Sequence, residues 1–160
     1  MIGPDDFRRV LSHFATGVTI VTTSDPDGRP TGLTVSAFTS LSLDPPLILV
    51  CVDHKSQSYP ILREGKAFAV NVLCVDHEGL SRRFASTRLD KFEGVTYRAG
   101  HLGLPLLEGA LGHLECVTVS RHVEGDHTIF VGRVEHVGVG DGEPLLYFRG
   151  KYKRLEGGSA

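Results

Sequence analysis

The residues of this chain best suited to chemistry fall in three places. A hydroxyl-rich stretch, TGLTVSAFTSLSLDPPLILVCVD, occupies residues 31–53; His127 follows Gly125 and Asp126; and Tyr147, Phe148, Arg149 and Gly150 lead into Lys151 and Tyr152. In the first stretch, apolar runs at 32–38 and 47–52 flank Thr39, Ser40 and Ser42. Pro45 and Pro46 fix φ and withhold backbone donors, so a bend is expected between two strands. Hydroxyls on such a bend can hold an anion or a polar ring system, although the same residue types are common in plain turns. A turn at Gly125 and Asp126 would present His127 at a hairpin tip, where a neutral imidazole can donate a hydrogen bond. A lone histidine in a turn is also ordinary surface. The aromatic and basic segment suits a dinucleotide, and reads equally as an edge strand with a solvated basic end.

Other chemistries find no support. Eight histidines are present, but none forms HExxH or a His/Cys ligand cluster. His122 and His127 could face each other across a hairpin without a third ligand, so no metal is expected. There is no Gly-x-Ser-x-Gly hydrolase signature. No GxGxxG follows a strand; GVGDG at 138–142 precedes a turn and reads as a hairpin. Lys plus Arg is 17 and Asp plus Glu is 19, a formal charge of −2, which gives no pull toward nucleic acid or an anionic membrane. Cys51, Cys74 and Cys116 sit beside valines without paired spacing. Buried reduced thiols in a cytoplasmic protein are the expected reading. Neither a secretory signal nor a membrane helix is expected.

The elements that must position these residues follow from periodicity. With 160 residues, one domain spanning 1–160 is expected, frayed at 156–160. Phe7, Val10, Leu11 and Phe14 recur at helical spacing behind Pro4, Asp5 and Asp6, predicting an amphipathic helix that ends at Gly17. Residues 18–23 are β-branched and should form a strand, with a turn at 25–28 feeding the next strand from Gly32. Ser58 could cap a short helix ending at Gly65, and 67–75 reads as a buried strand. Asp76 could cap a helix carrying Leu80 and Phe84, and 86–109 reads as mostly loop. Strands are expected at 114–123 and 128–139 around a turn at 124–126, then at 145–148. Six or seven strands without βαβ alternation point to an antiparallel barrel.

Three segments in order, TGLTVSAFTSLSLDPPLILVCVD, GDHTIFVGRV from Gly125 and PLLYFRGKYKRL from Pro144, resemble the flavin reductase family of FMN-binding split barrels. The likeness runs from Asp6 to Leu155. It implies a mainly β fold, a Greek-key-like antiparallel split β-barrel with a few short flanking helices. The implied activity is NAD(P)H:flavin oxidoreduction, in which hydride passes to FMN or FAD and the reduced flavin goes to a partner monooxygenase. A homodimer with flavin near its interface is implied too. By this resemblance Thr34, Val35, Ser36 and Ala37 line the flavin ring, with backbone amides near its reactive nitrogen. Cys51, Val52 and Asp53 lie beside the ring or ribityl chain, and Ser56 and Ser58 lie near the phosphate, where a helix N-terminus suits an anion.

Arg82, Arg83 and Lys91 are candidate phosphate or adenine partners, and Phe84 is either flavin wall or packed core. His127 matches the position that contacts the nicotinamide, and Tyr147, Phe148, Arg149 and Gly150 carry part of that site. No side chain is required as a general acid or base. Read locally, Thr34 and Ser36 are equally the solvent-facing positions of an alternating strand, and Ser58 equally a cap. A flavin carrier or sensor, or an oxidase with tightly held FMN, is the rival function; His127 and the YFRG segment favour catalysis. FMN against FAD stays open. NADH is preferred to NADPH because no basic pair is dedicated to a 2′-phosphate.

Overall fold

The computed structural model of the protein describes residues 1–156. Helix α1 (Pro4–Leu11) opens the chain, with Asp5 and Asp6 in its first turn and Arg8 and Arg9 in its last, as the helix dipole favours. It stops at Leu11 rather than at Gly17, because Ser12 Oγ and His13 Nδ1 both bond back to the Arg9 carbonyl. Gly17 instead belongs to strand β1 (Thr16–Gly17). Strand β2 (Thr19–Ser24) turns at Asp25, whose carboxylate accepts the N–H groups of Asp27 and Arg29, into β3 (Pro30–Val35).

The hydroxyl-rich bend expected at 39–42 is instead strand β4 (Phe38–Leu43), antiparallel to β5 (Pro46–Asp53). Ser40 and Ser42 lie on that ladder at a register shift, and the turn sits at Asp44 and Pro45. The break in the chain falls earlier, at Ser36 and Ala37. Alternation along an extended strand sends Thr39, Leu49, Cys51 and Asp53 to one face, while Ile48, Val50 and Val52 enter the core.

Helix α2 (Tyr59–Glu64) ends at Gly65 as expected and leads into β6 (Ala67–Val72). Asp76 caps nothing: it sits in a 3-10 turn at Val75–His77, and His77 is the residue before α3 (Glu78–Ala85). Within the expected loop, β7 (Tyr97–Ala99) and β8 (Pro105–Leu107) form a small hairpin. Glu115 fixes its bend by accepting the N–H groups of His101 and Leu102.

The longest strands, β9 (Gly112–Glu124) and β10 (His127–Val139), pair around the turn at Gly125. His127 lies opposite Glu124, and His122 opposite Ile129, so the two histidines do not face each other. The GVGDG segment is not a hairpin. It carries the chain from β10 to a separate sheet in which β1, β11 (Leu146–Phe148) and β12 (Lys151–Lys153) pair, the last strand falling in what read as a basic tail. The frayed end expected at 156–160 lies, beyond residue 156, outside the described residues.

The main sheet is seven-stranded and antiparallel throughout, in the order β3-β2-β6-β9-β10-β5-β4. Its ends curl together, since β3 touches β5 and runs directly into β4. One core cluster fills the inside, built on Val21, Val50, Val52, Phe68, Val70 and Phe130. A second, around Ile20, Leu73, Phe84 and Leu145, packs beneath α3. The fold therefore leaves a seam between β3 and β5 whose outer face is open to ligands.

Candidate functional site

Two cavities line that seam. The larger, about 700 Å³, is bounded by Ser36, Ala37, Phe38, Thr39, Leu49 and Cys51 on the strand side, by Thr16 to Thr19 and Val72, and by Leu11, Phe14 and Tyr147 at its rim. Its walls are mostly apolar, and its volume falls within the range that cofactor sites use. At the β3–β4 break, the N–H groups of Ser36 and Ala37 donate to no other backbone group among the described residues, while both carbonyls accept, from Phe38 and Cys51. Exposed donors at the edge of an apolar slot suit a flat ring that gains negative charge. The Cys51 thiol is pushed up by burial and so stays protonated in that wall.

The smaller cavity, about 330 Å³, is lined by Thr34, Asp53, Lys55, Ser56, Gln57, Phe84, Ser86, Thr87 and Lys91. Lys91 decides its character. The residue is 7% exposed, and its ammonium donates to the carbonyls of Phe84 at 3.0 Å and Gly32 at 3.4 Å. No carboxylate pairs with it among the described residues, and desolvation pulls its pKa below the usual lysine range. A buried ammonium satisfied only by carbonyls is costly unless an anion completes its shell. A phosphate-bearing ligand fits this donor set.

The expected residues divide accordingly. Ser36, Ala37 and Cys51 meet in the large cavity; Thr34, Asp53, Ser56, Phe84 and Lys91 meet in the small one. Thr34 on β3 stands two residues before Ser36 at the break, and Cys51 two residues before Asp53 on β5, so the two cavities adjoin along the chain. Val35 and Val52 send their side chains into the core, so only their backbone can face a ligand. Ser58 is neither a side-chain cap nor a free hydroxyl: it is buried, donating to the Gly32 carbonyl and bonded to Thr31 Oγ1. Thr34 Oγ1 donates to the Ser81 carbonyl. Phe84 is 1% exposed, packed in the core while its edge closes the small cavity.

Arg82 pairs with Glu78 and lies 4.7 Å over the Tyr152 ring. Arg83 donates to the carbonyls of Asp90 and Glu93, which leaves it holding the loop. Tyr147 stands between the large cavity and a further one formed with Arg82, Ser86, Gly150 and Tyr152. Phe148 packs edge-on against His13, and the Arg149 N–H donates to the Ser12 carbonyl. His127 lies outside these cavities, on the same outer face as Asp53, its partner across β10 and β5.

This arrangement of a slot for a ring beside a socket for an anion agrees with the relationships of the sequence. Residues 11–156 match the model of the flavin reductase like domain. The chain belongs to that family. It is 42% identical over 156 residues to the reductase subunit HsaB of a flavin-dependent monooxygenase from Rhodococcus jostii, covering 97% of this chain and 80% of that one. An NADH-dependent flavin reductase of Rhodococcus sp is 42% identical over 159 residues, covering 97% and 88%. The NADH:FAD oxidoreductase SgcE6 of Streptomyces globisporus, solved with NAD and FAD fragments, superposes with a TM-score of 0.90 at 38% identity, covering 98% and 96%. The flavin reductase family expected from the three segments is thus the family that residues 11–156 match.

Several lining residues carried no usable signal in the sequence. Phe38 and Leu49 line the large cavity from apolar runs that read only as strand, whereas Thr39 was one of the three hydroxyls expected at a ligand-holding bend. Gln57, Ser86 and Thr87 reach the small one from loops.

Proposed function

We propose that this chain is an NADH-dependent flavin reductase that binds FMN or FAD across the β3–β5 seam and supplies reduced flavin to an oxygenase component. The observation that carries this reading is the buried, carboxylate-free ammonium of Lys91 beside an apolar slot edged by free amides. In the bound state, Ser36 and Ala37 donate to the ring edge, while Lys91 and Ser56 hold the phosphate. His127, with Tyr147, Phe148, Arg149 and Gly150, receives the dinucleotide. A flavin held there would supply the two-electron acceptor for the hydride of NADH, leaving NAD+. The protein's work is placement, exclusion of water and fixed donors; it needs no titrating side chain. Relatives named as reductase subunits of monooxygenases support the oxygenase as acceptor.

A homodimer belongs to the same reading. Phe7, Val10, Leu11 and Phe14 are each more than half exposed, and Leu11 and Phe14 rim the large cavity. Leu43, Val137 and Val139 add further bare apolar surface. Exposed apolar area of this kind marks an interface, and a second copy seated there would close the slot. No helix among the described residues is long and apolar enough to cross a membrane. Free thiols at Cys51, Cys74 and Cys116 suit a reducing cytoplasm.

The test is anaerobic. Purified protein is mixed with excess FMN or FAD and then NADH or NADPH, and the absorbance of oxidised flavin is followed. Many turnovers, faster with NADH, are expected. Bleaching of a single equivalent would indicate a held prosthetic flavin, and no bleaching with flavin still bound would leave a carrier or sensor.

A further inference from the structure

The β9–β10 turn holds a side-chain pair of which the proposed reaction uses only the histidine. His127 Nδ1 lies 2.7 Å from Asp126 Oδ1. A carboxylate carries no proton, so Nδ1 must be the donor and the free ring nitrogen is Nε2. We propose that Asp126 is a positioning residue: it locks His127 in the Nδ1–H tautomer and so presents Nε2 as an acceptor for the nicotinamide's carboxamide N–H. This rests on the reductase reading above, and it reverses the donor role expected of a neutral His127.

The groups around the pair support the assignment. Asp53 faces His127 from β5 with its Oδ1 accepting the Lys55 N–H, and no hydrogen bond joins its carboxylate to His127 among the described residues. Glu124 is the opposite residue on β9, and Lys55 is the nearby cation. The Asp126 carboxyl is held below the usual range by its bond to His127, so it stays ionised through the neutral range. The turn does not depend on this side chain. The His54 N–H donates to the Asp126 carbonyl at 3.0 Å, and buried Thr128 bonds to His54 Nε2 and to the Tyr59 hydroxyl, each at 3.0 Å. Removing the carboxylate therefore frees the imidazole without releasing the hairpin.

The test uses the full chain labelled with 15N-histidine, with the His127 signals assigned by their loss in His127→Asn. Long-range 1H–15N spectra above neutral pH should give the Nδ1–H tautomer in the wild type and a shift toward Nε2–H in Asp126→Ala. Asp126→Ala should raise KM for NADH about tenfold, the cost of one hydrogen bond, with kcat and flavin affinity unchanged. Asp126→Asn keeps an acceptor oxygen and should stay within about threefold of wild type. An Nε2–H wild type, an unchanged KM in Asp126→Ala, or an equal loss of flavin and NADH binding would each overturn the proposal. A wild type that binds flavin but turns over none would instead sink the reductase reading itself, and this role with it.

Discussion

The two cavities along the seam are built from the same two strands yet have opposite chemistry. At Ser36, Ala37 and Cys51 the walls are apolar and the polar groups are backbone amides at the edge. Two residues back on β3 and two further on β5, Thr34 and Asp53 open onto a polar socket with a buried ammonium at its floor. The difference comes from what covers each stretch. The large cavity is edged by Leu11 at the end of α1, by Phe14 and by β1, whereas α3 and the loop to Lys91 close the small one. A strand pair supplies alternation, and the covering segments decide whether an alternate position meets a ring or an anion.

The largest expected effect tests the anion side alone. Lys91→Met should weaken FMN binding on the order of 100-fold, the loss of a charge-assisted bond in a dry site, while riboflavin, which lacks the phosphate, binds as before. Fluorescence titrations of both ligands check this; an equal loss for both would erase the distinction between the cavities. The same lysine sets a pH dependence. Its folded pKa lies below that of the unfolded chain, so the flavin-free protein binds fewer protons than the unfolded one between those values. Stability of the flavin-free protein should therefore rise with pH in that alkaline window. FMN affinity should fall as pH climbs through the folded value, which burial holds below the usual lysine range. Melting curves and titrations from neutral to alkaline pH, with Lys91→Met as the flat control, measure both.

On the ring side, Ala37→Leu places bulk in the slot and should weaken FMN and riboflavin alike, about tenfold each, a steric cost of about 1–3 kcal/mol. A loss confined to FMN would show the slot and socket to be misassigned. The smallest effect lies at the rim. Arg149 adopts φ +50 in the β11–β12 turn, where only glycine is free of strain. Arg149→Gly should stabilise the protein by up to about 1 kcal/mol in chemical denaturation, and any accompanying rise in KM for NADH measures what the guanidinium contributes.

Much of this was legible in the chain. The apolar run at 47–52, the hairpin turn at Gly125 and the glycine that ends α2 are local signals, and each element formed where they placed it. The three segments that resemble flavin reductases pointed to the right family. Other features were not legible. Ser40 and Ser42 read as turn residues but were recruited into β4 by pairing with β5. β7, β8 and β12 are three residues each, too short for a period to register. Ser58 looked like a cap and became a buried tie to Gly32.

Lys91 shows the division most clearly. Its presence in a polar loop is a fact of sequence, but its burial depends on the Gly32 carbonyl, 59 residues away. His127 comes to face Asp53 only through the pairing of β10 with β5. The sequence by itself determined the apolar runs that become the long strands, several of the turns and caps between elements, and the family, because φ/ψ preferences and side-chain period act over a few residues. Only the tertiary structure decided which alternate positions share a cavity. Strand register and the segment laid over each face are set by contacts far apart in the chain, and a slip of one residue would send every side chain to the other face.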